Sequence, residues 1–315
     1  MATTTPKVID SHLHVWASTT EASTGGFPYV QEPPESLKDR ASIAELLQQM
    51  DANSVDGALI VQPAIHKFDH SYVLSAIQSH SDRFKGMLLH DPSLSPTDAV
   101  SRLEDLALQG FVGVRFNPYL WPKLEEERES SWALMSQGAG LAVYKRCGEL
   151  HMPVGVMCFQ GLQLHYDDIL GLLKASPDTI LILDHFGFTS VNKDEMEIDK
   201  DKNADVIFKK LLALAAYPQV HVKVSALFRL GDAPPYKRVH KERFQPLLKA
   251  FGADRLMFGS DFPFVLEQPE AYSTARLVES WIENDQDRAA IMGGTAERLF
   301  GPWGSATGLN KKSEL

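Results

Sequence analysis

The stretch VIDSHLHVW, residues 8–16, combines the apolar pattern of a β-strand with three ionisable side chains. Successive side chains of a strand point to opposite faces, so Asp10, His12 and His14 are expected on one face and neighbouring apolar residues on the other. Side chains at i and i+2 lie roughly 6–7 Å apart, and at that spacing two imidazoles can reach one divalent ion. The stretch therefore predicts a strand with a chemically functional face.

Seven further strand-like runs follow this one, separated by amphipathic helical patterns such as SIAELLQQM (42–50) and DAVSRLEDLALQ (98–109). Strict alternation of strand and helix is typical of parallel strands joined by right-handed crossovers. Eight such units predict an α/β protein with a closed (β/α)₈ TIM barrel, as a single domain over residues 1–315, and an open doubly wound sheet is the alternative. The predicted strands are 7–14, 56–62, 85–91, 111–117, 153–159, 179–185, 219–225 and 254–261.

Three long polar stretches each follow a predicted strand. They span residues 17–41, 122–137 and 187–205. In a barrel, the segments that follow strands lie on the C-terminal face, where active sites are built. We therefore expect long loops around a functional site on that face.

The composition is that of an acidic globular protein. Of 315 residues, 44% are hydrophobic, and 31 Lys and Arg against 41 Asp and Glu give a net charge of −10. This balance argues against nucleic acid as a partner, and no apolar run approaches the length of a membrane span. Two cysteines, Cys147 and Cys158, are too few for a disulfide framework. These features predict a cytoplasmic protein that binds neither nucleic acid nor membrane.

Polar side chains with catalytic potential cluster at the C-terminal ends of five predicted strands. Barrel closure would bring them together at one mouth. A lysine that faces a barrel interior needs an anion or another partner, so the interior is expected to be polar near this end. The side chains are those of His12, His14, Arg115, His185, Lys223, Ser225 and Asp261.

Each of these residues also has a purely structural interpretation. Asp261 in FGSDFP is equally suited to cap a following helix, because aspartate is a favoured N-cap. Arg115 is compatible with a surface position. In LDHFG, either Asp184 or His185 can face inward, and His185 is compatible with a hydrogen-bonded core position. Their joint position at strand ends favours a functional site.

Six motifs resemble the amidohydrolase-related group of the amidohydrolase superfamily. The resemblance runs from about residue 8 to residue 301, and it is greatest to the branch that contains the 2-pyrone-4,6-dicarboxylate lactonases and the sugar lactonases. The segment VQPAIHKFDHSYVL (61–74) also resembles that branch. The six motifs are IDSHLHVW (9–16), GVRFN (113–117), LDHFG (183–187), VKVSALFR (222–229), FGSDFP (258–263) and GGTAERLFG (293–301).

The resemblance implies a hydrolase that opens a lactone, or a similar cyclic ester, of a small acidic substrate. Asp261 would activate water and His185 would be the catalytic histidine. It also implies no organic cofactor and at most one divalent ion, zinc or manganese, held by His12, His14 and Asp261. The resemblance implies that Arg115 and Arg229 bind the substrate carboxylate. The strand-seven pattern and the aromatic residues add Lys223 and Tyr72 as predicted substrate-binding residues.

One position departs from the metal-dependent members of the group. In strand five those members have the pattern PVxxH, and this chain has Met157 at the position of the histidine. A thioether is a poor ligand for zinc or manganese. We therefore expect the metal to be optional. The alternatives are a zinc-dependent decarboxylase or hydratase of the carboxymuconate-semialdehyde decarboxylase type, and a barrel that binds a small acid without catalysis.

Aromatic side chains near the strand ends predict a pocket for a flat or ring-shaped molecule. Three more histidines are interpreted as substrate contacts or surface residues, with a surface position favoured for His66. The aromatic residues are Trp16, Phe68, Tyr72, Trp121 and Phe228, and the histidines are His66, His70 and His90.

Overall fold

The computed structural model describes residues 6–123, 133–191 and 204–304. Within these ranges eight parallel strands lie side by side in chain order. Such an order places each strand beside the next one along the chain, as right-handed crossovers require. The strands are β1 (Ile9–Leu13), β2 (Gly57–Val61), β3 (Phe84–Leu89), β4 (Phe111–Phe116), β5 (Val154–Val156), β6 (Leu181–Leu183), β7 (Val220–Val224) and β8 (Leu256–Phe258).

The sheet closes on itself between the end of β1 and the segment that follows β8. Leu13 forms a parallel bridge with Phe262. The His14 amide donates to the Phe262 carbonyl at 2.7 Å, and the Asp261 amide donates to the His12 carbonyl at 2.8 Å. The prediction of a single-domain (β/α)₈ TIM barrel is therefore confirmed, and the same closure brings the two ends of the candidate site together.

Helices surround the barrel and cover its outer face. The helix between β3 and β4 begins at a Ser95 cap followed by Pro96, where a missing amide donor has no cost. No helix in the described ranges has the length and apolar character needed to span a bilayer. The helices are α1 (Thr19–Thr24), α2 (Ile43–Ala52), α3 (Ser71–Ser79), α4 (Pro96–Leu108), α5 (Gly138–Glu149), α6 (Tyr166–Ala175), α7 (Ala204–Ala213), α8 (Lys237–Val239), α9 (Gln245–Phe251), α10 (Tyr272–Ala275), α11 (Leu277–Ser280), α12 (Asp285–Ala289) and α13 (Thr295–Phe300), with π-helical turns at His240–Phe244 and Ala290–Gly294.

Alternate strand residues divide the core into an interior layer and an outer layer. On β2, Leu59 and Val61 pack inside the barrel, whereas Ala58 and Ile60 pack against the helices. Phe300 and Trp303 close the N-terminal end of the interior. The apolar interior cluster is Ile9, Leu59, Val61, Met87, Ile182 and Met257, together with Ala296, Phe300 and Trp303.

The first strand does not keep the strict alternation that its sequence predicts. Its register against β2 shifts between Asp10 and Leu13, so β1 carries one extra residue there. Ile9 therefore packs in the interior layer although Leu13 packs in the outer one. Asp10 accepts a hydrogen bond from the Tyr272 hydroxyl of α10. The prediction that Asp10 shares the face of the two histidines is wrong, because the bulge changes the phase of the strand.

The first of the three predicted loops contains short helical elements. Residues 17–41 include α1 and a 3₁₀ turn at Glu35–Leu37. Residues 124–132 and 192–203, which make up most of the other two predicted loops, lie outside the described residues. The described part of the C-terminal face is therefore shaped mainly by the segments that follow β1, β2, β5, β6, β7 and β8.

Candidate active site

A pocket of about 340 Å³ opens at the C-terminal end of the barrel. Segments that follow six of the eight strands line it, together with residues at or near the ends of β3 and β4. Polar side chains lie on its floor, and aromatic rings form part of its wall. Its lining residues are His14, Trp16, Gln31, Pro34, Gln62, Pro63, Ala64, Ile65, Leu89, Arg115, Asn117, Met157, Phe159, His185, Phe188, Arg229, Asp261 and Phe264.

Asp261 occupies the centre of the pocket floor. Its backbone is left-handed, with φ of +61°, a conformation that aspartate tolerates better than most residues. Oδ2 accepts a hydrogen bond from Nε of Arg229 at 2.8 Å. Oδ1 lies 3.7 Å from Nε2 of His14, 3.8 Å from Nε2 of His185 and 4.0 Å from Nε2 of His12.

This geometry excludes the interpretation of Asp261 as a helix cap. The 3₁₀ turn that follows, Phe264–Glu267, begins after Pro263 and has no side-chain cap. Burial raises the pKa of Asp261 to about 6, and the Arg229 guanidinium limits the rise. A carboxylate is an effective general base when its pKa lies near the working pH.

Three imidazoles surround the Asp261 carboxylate. Each directs Nε2 towards it, and a contact at Nδ1 fixes the orientation of each ring. Nδ1 of His14 lies 2.8 Å from the Val61 carbonyl oxygen, and Nδ1 of His185 lies 2.8 Å from Oγ of Ser225. Burial is the main reason that the pKa of all three imidazoles is lowered. The pKa of His12 falls to about 3. All three rings are therefore neutral at neutral pH.

Both residues of the Asp184-His185 pair face the site, although the sequence offered them as alternatives. After β6 the chain enters a left-handed turn, with φ of +50° at His185, +53° at Phe186 and +59° at Gly187. Because these residues leave the extended conformation, strand alternation no longer separates neighbouring side chains. Asp184 reaches into the barrel below the pocket, and His185 lines the pocket itself.

Asp184 is the centre of a buried charge cluster beneath the pocket. Its Oδ1 lies 3.1 Å from Nδ1 of His12 and 3.3 Å from Nζ of Lys223, and its Oδ2 lies 3.2 Å from Nη2 of Arg115. Burial opposes ionisation, but the charges of Lys223 and Arg115 outweigh it and hold the pKa of Asp184 well below its usual range. The cluster is therefore a set of mutually compensated charges.

Lys223, predicted to bind substrate, lies below the pocket and is not among the residues that line it. Its side chain has no exposed surface, and its ammonium group contacts only His12 and Asp184 among the described polar groups. It lies on β7 below the level of Ser225, so the lining residues separate it from the space that a substrate would occupy.

Tyr72, also predicted to bind substrate, is not among the residues that line the pocket. Its hydroxyl lies 3.1 Å from Oε2 of Glu21 and accepts a hydrogen bond from the Ile43 amide at 3.2 Å. Tyr72 is on α3, and its ring packs beside Phe27 at a centroid distance of 5.1 Å. Its contacts fasten the segment after β1 to the helix layer.

The two predicted arginines both line the pocket. Arg115, at the end of β4, directs Nη2 towards Asp184, and its Nε has no hydrogen-bond partner among the described residues. Arg229 holds Asp261, and its guanidinium carbon lies 5.0 Å from the ring centroids of both Phe228 and Phe264. Each arginine therefore places positive charge next to the space above Asp261.

Only Trp16 of the five predicted aromatic residues lines the pocket. The rings that the sequence interpretation missed are Phe159, Phe188 and Phe264. All three follow strand ends within a few residues, which is the signal that could have identified them. Phe159 is 56% exposed, so it forms part of the rim.

The three additional histidines do not line this pocket. His66 bridges two loop segments, since its Nε2 accepts from the Ala17 amide and its Nδ1 lies 3.1 Å from the Pro28 carbonyl oxygen. It is buried, so the surface position favoured for it is wrong. His70 and His90 are also buried, and they line a separate cavity of about 250 Å³ between β3 and the helix layer.

His12, His14 and Asp261 meet the spacing requirement for one metal ion. A ligand atom from each lies within 4.8 Å of the other two, and Zn–N distances of about 2.0–2.1 Å require such spacing. Nε2 of His12 has no hydrogen-bond partner within the described residues, as expected for a nitrogen open to a ligand. The spacing of these three side chains therefore suits a divalent ion, which His12 could bind only in the tautomer with an unprotonated Nε2. Met157 lines the same pocket as a poor fourth ligand.

The barrel is similar to solved structures of known fold. A Pseudomonas putida protein, described as a candidate 2-pyrone-4,6-dicarboxylic acid hydrolase, matches with a TM-score of 0.71 at 24% identity, and the match covers 95% of this chain and 98% of that one. A likeness at this identity concerns the fold.

Curated relatives are also similar in sequence, and two of them have named activities that differ in substrate. A 4-sulfomuconolactone hydrolase from Rhizobium radiobacter is 27% identical over 93% of this chain and 89% of its own length. An L-fucono-1,5-lactonase from Burkholderia multivorans is 36% identical over 38% of this chain and 42% of its own length.

The sequence profile of the amidohydrolase family extends this likeness over nearly the whole barrel. It matches residues 9–301, which include every strand and each side chain placed at the pocket floor. Because the match covers most of the chain, this protein belongs to the amidohydrolase family.

Proposed function

We propose that this protein hydrolyses the ring ester of a small carboxylated lactone. The observation that carries the proposal is the position of Asp261, a buried carboxylate beneath a pocket whose wall holds Arg115 and Arg229. Relatives that are named as lactone hydrolases support the same reaction class. The substrate carboxylate is assigned to the arginine side of the pocket, because a guanidinium matches a carboxylate with two parallel hydrogen bonds.

In the proposed reaction, Asp261 takes a proton from a water molecule above its Oδ1. The oxygen of that water forms a bond with the ester carbonyl carbon, and the carbonyl electrons move onto oxygen. When the tetrahedral intermediate collapses, the ring C–O bond breaks, and the leaving oxygen receives the proton that Asp261 accepted. His185, whose Nε2 lies 3.8 Å from Oδ1 of Asp261, is placed to relay this proton. The product is a hydroxy acid, so one water is consumed.

Arg229 keeps the base in position during this sequence. Its hydrogen bond to Oδ2 leaves Oδ1 of Asp261 directed towards the three imidazoles. A divalent ion, zinc or manganese, held by His12, His14 and Asp261 would add polarisation of the ester carbonyl. The proton transfers themselves are assigned to the side chains of this chain.

The zinc-dependent decarboxylase or hydratase has less support. The relative from Rhizobium radiobacter, which matches over 93% of this chain, is named as a lactone hydrolase. In addition, Met157 occupies the position of the histidine in the PVxxH pattern of the metal-dependent group. Arg115 would hold a substrate acid in either reaction, so it does not separate the two.

A panel of carboxylated lactones and pyrones tests the proposal. Each compound is paired with a neutral amide analogue and assayed at constant pH for proton release, with carbon dioxide measured in parallel. We expect one proton per ring opened, no carbon dioxide, and preference for the carboxylated member of each pair. Zinc and manganese content is measured on the same preparation. Release of carbon dioxide without ring hydrolysis would support the decarboxylase, and turnover of none of the lactones would contradict the proposal.

A further inference from the structure

The ammonium group of Lys223 contacts the ring nitrogen Nδ1 of His12 from the side away from the pocket. Its Nζ is 3.0 Å from Nδ1 of His12, in hydrogen-bond geometry, and 3.3 Å from Oδ1 of Asp184. The side chains of Lys223 and His12 are both fully buried. Water therefore does not compete for this contact, and the partner of Nδ1 must be one of these two groups.

The two groups make opposite demands on Nδ1 of His12. A lysine ammonium has three donor hydrogens and no acceptor, so Nδ1 must be an unprotonated acceptor to bind it. Asp184 would instead require a hydrogen on Nδ1. The approach of Asp184 Oδ1 at 3.1 Å is short, but it is not aligned as a hydrogen bond, and this oxygen has no hydrogen-bond partner among the described residues. The geometry favours the contact with Lys223.

We propose that Lys223 is a positioning residue that holds His12 in the tautomer with hydrogen on Nε2. In this tautomer Nε2 is a hydrogen-bond donor directed into the site, and it has no lone pair for a metal ion. If the proposed function is correct, this N–H stabilises the negative charge that develops on the carbonyl oxygen as water attacks. Lys223 acts through His12 and has no contact with substrate.

His14 has the opposite assignment. Its Nδ1 faces the Val61 carbonyl oxygen, an acceptor, at 2.8 Å, so the hydrogen is on Nδ1 and Nε2 carries the lone pair. That lone pair, 3.7 Å from Oδ1 of Asp261, can accept a hydrogen bond from the attacking water. The two histidines of the HLH motif therefore have different roles: His12 donates and His14 accepts.

The same contact opposes metal binding by His12. A histidine that ligates a metal through Nε2 usually donates its Nδ1–H to a carboxylate, and loss of such a partner typically lowers metal affinity 10–100-fold. Asp184 is close enough to be that partner, but Lys223 directs a hydrogen to Nδ1 instead. Replacing Lys223 with methionine keeps a long side chain and removes the competing donor. His12 can then carry hydrogen on Nδ1 and donate it to Asp184, which leaves Nε2 free to bind a metal ion.

Nuclear magnetic resonance of the intact wild-type protein tests the tautomer directly. The protein is labelled with ¹⁵N-histidine, and long-range ¹H–¹⁵N correlations are recorded at neutral pH after metal is removed. Signals of His12 are identified by their loss in His12→Gln. We expect hydrogen on Nε2 for His12 and on Nδ1 for His14. Hydrogen on Nδ1 of His12 would overturn the proposal, regardless of whether the protein hydrolyses lactones.

Zinc affinity of the metal-free protein supplies the second measurement. A competing fluorescent chelator is used with wild type, Lys223→Met and the control Lys85→Met, which alters a lysine on β3 beside Trp303. We expect Lys223→Met to bind zinc at least 10-fold more tightly than wild type, and the control to match wild type. Equal affinity in folded Lys223→Met, or tight stoichiometric zinc in wild type, would contradict the proposal. If Lys223→Met does not fold, the wild-type tautomer decides. A lactone panel with no turnover would refute the proposed function and leave this test intact.

Discussion

Towards the N-terminal end of the barrel, the interior is filled by apolar side chains such as Leu59, Met87 and Ile182. Towards the C-terminal end, Asp184, Lys223 and other charged groups occupy a space that is nearly closed to water. Both regions are lined by the same eight strands. The two ends of the interior differ in the side chains that face inward: they are apolar towards the N-terminal end of the strands and charged towards the C-terminal end.

The comparison shows that the two regions contribute to folding in opposite ways. Each buried apolar side chain stabilises the fold by about 1.5–3 kcal/mol. A buried charge is costly unless it is paired, and removal of one partner from a buried pair costs about 3–5 kcal/mol. The N-terminal end of the interior therefore supplies stability, and the C-terminal end depends on compensation among Asp184, Lys223 and Arg115.

The largest effect on activity is expected from Asp261→Asn. The amide cannot accept the proton of water, so we expect turnover of a lactone substrate to fall by about 10²–10⁴-fold. Thermal unfolding should change little, since the substitution also removes a buried charge. Asp254→Asn is the matched control, because Asp254 is exposed in the 3₁₀ turn Ala253–Arg255 that precedes β8. Normal activity in Asp261→Asn would show that the C-terminal end of the interior is not organised around this base.

The converse effect is expected from Leu59→Ala at the N-terminal end. Leu59 is fully buried in the apolar interior cluster, so truncation leaves a cavity. We expect the free energy of unfolding in urea to fall by about 2–5 kcal/mol, with unchanged activity per folded molecule. Leu108→Ala on the exposed face of α4 is the control and should have little effect. A loss of activity without a loss of stability would break the division between the two regions.

The barrel itself was predictable because it depends on local patterns. Alternating strands and helices, with functional residues at strand ends, sufficed to predict eight parallel strands in order. The convergence of His12, His14, His185 and Asp261 followed from barrel closure, because each side chain needs only its position at the end of a strand. These features require no knowledge of which loops touch.

The errors arose where the backbone departs from regular geometry or where contacts are distant. The bulge in β1 turned Asp10 to the helix layer, and the left-handed turn after β6 let Asp184 and His185 face the same site. The pairing of Tyr72 with Glu21 joins segments that are 51 positions apart. Neither strand periodicity nor residue type encodes such events, so they could not be predicted from the sequence pattern.

A smaller effect on activity is expected from Arg115→Lys. Lysine keeps the charge but cannot form two parallel hydrogen bonds to a carboxylate, and a hydrogen bond to a charged group is worth about 1.5–3 kcal/mol. We expect KM for carboxylated substrates to rise by about 10-fold or more, with kcat less affected, and KM for neutral analogues to stay nearly constant. Equal changes for both substrate types would mean that Arg115 serves Asp184 and not the substrate.

The smallest effect is expected outside the barrel wall, at His70. Its Nε2 accepts a hydrogen bond from the amide of Leu89, which lines the active-site pocket. Burial, followed by the charge of Arg102, lowers the pKa of His70 to about 4, and Asp69 opposes the shift. An unfolded histidine titrates near 6.5. Between these values the unfolded chain binds a proton that the folded protein does not, so stability falls as pH decreases from 6.5 towards 4.

His70→Gln isolates this contribution, because the glutamine oxygen can accept from the Leu89 amide without titrating. We measure the free energy of unfolding in urea at pH 7 and at pH 4.5 for both proteins. Each unit of pKa difference corresponds to about 1.4 kcal/mol, so the variant should lose about 2 kcal/mol less than wild type over this interval. Parallel losses in the two proteins would show that His70 is protonated equally in both states. The acid sensitivity would then have to come from the charged end of the barrel interior.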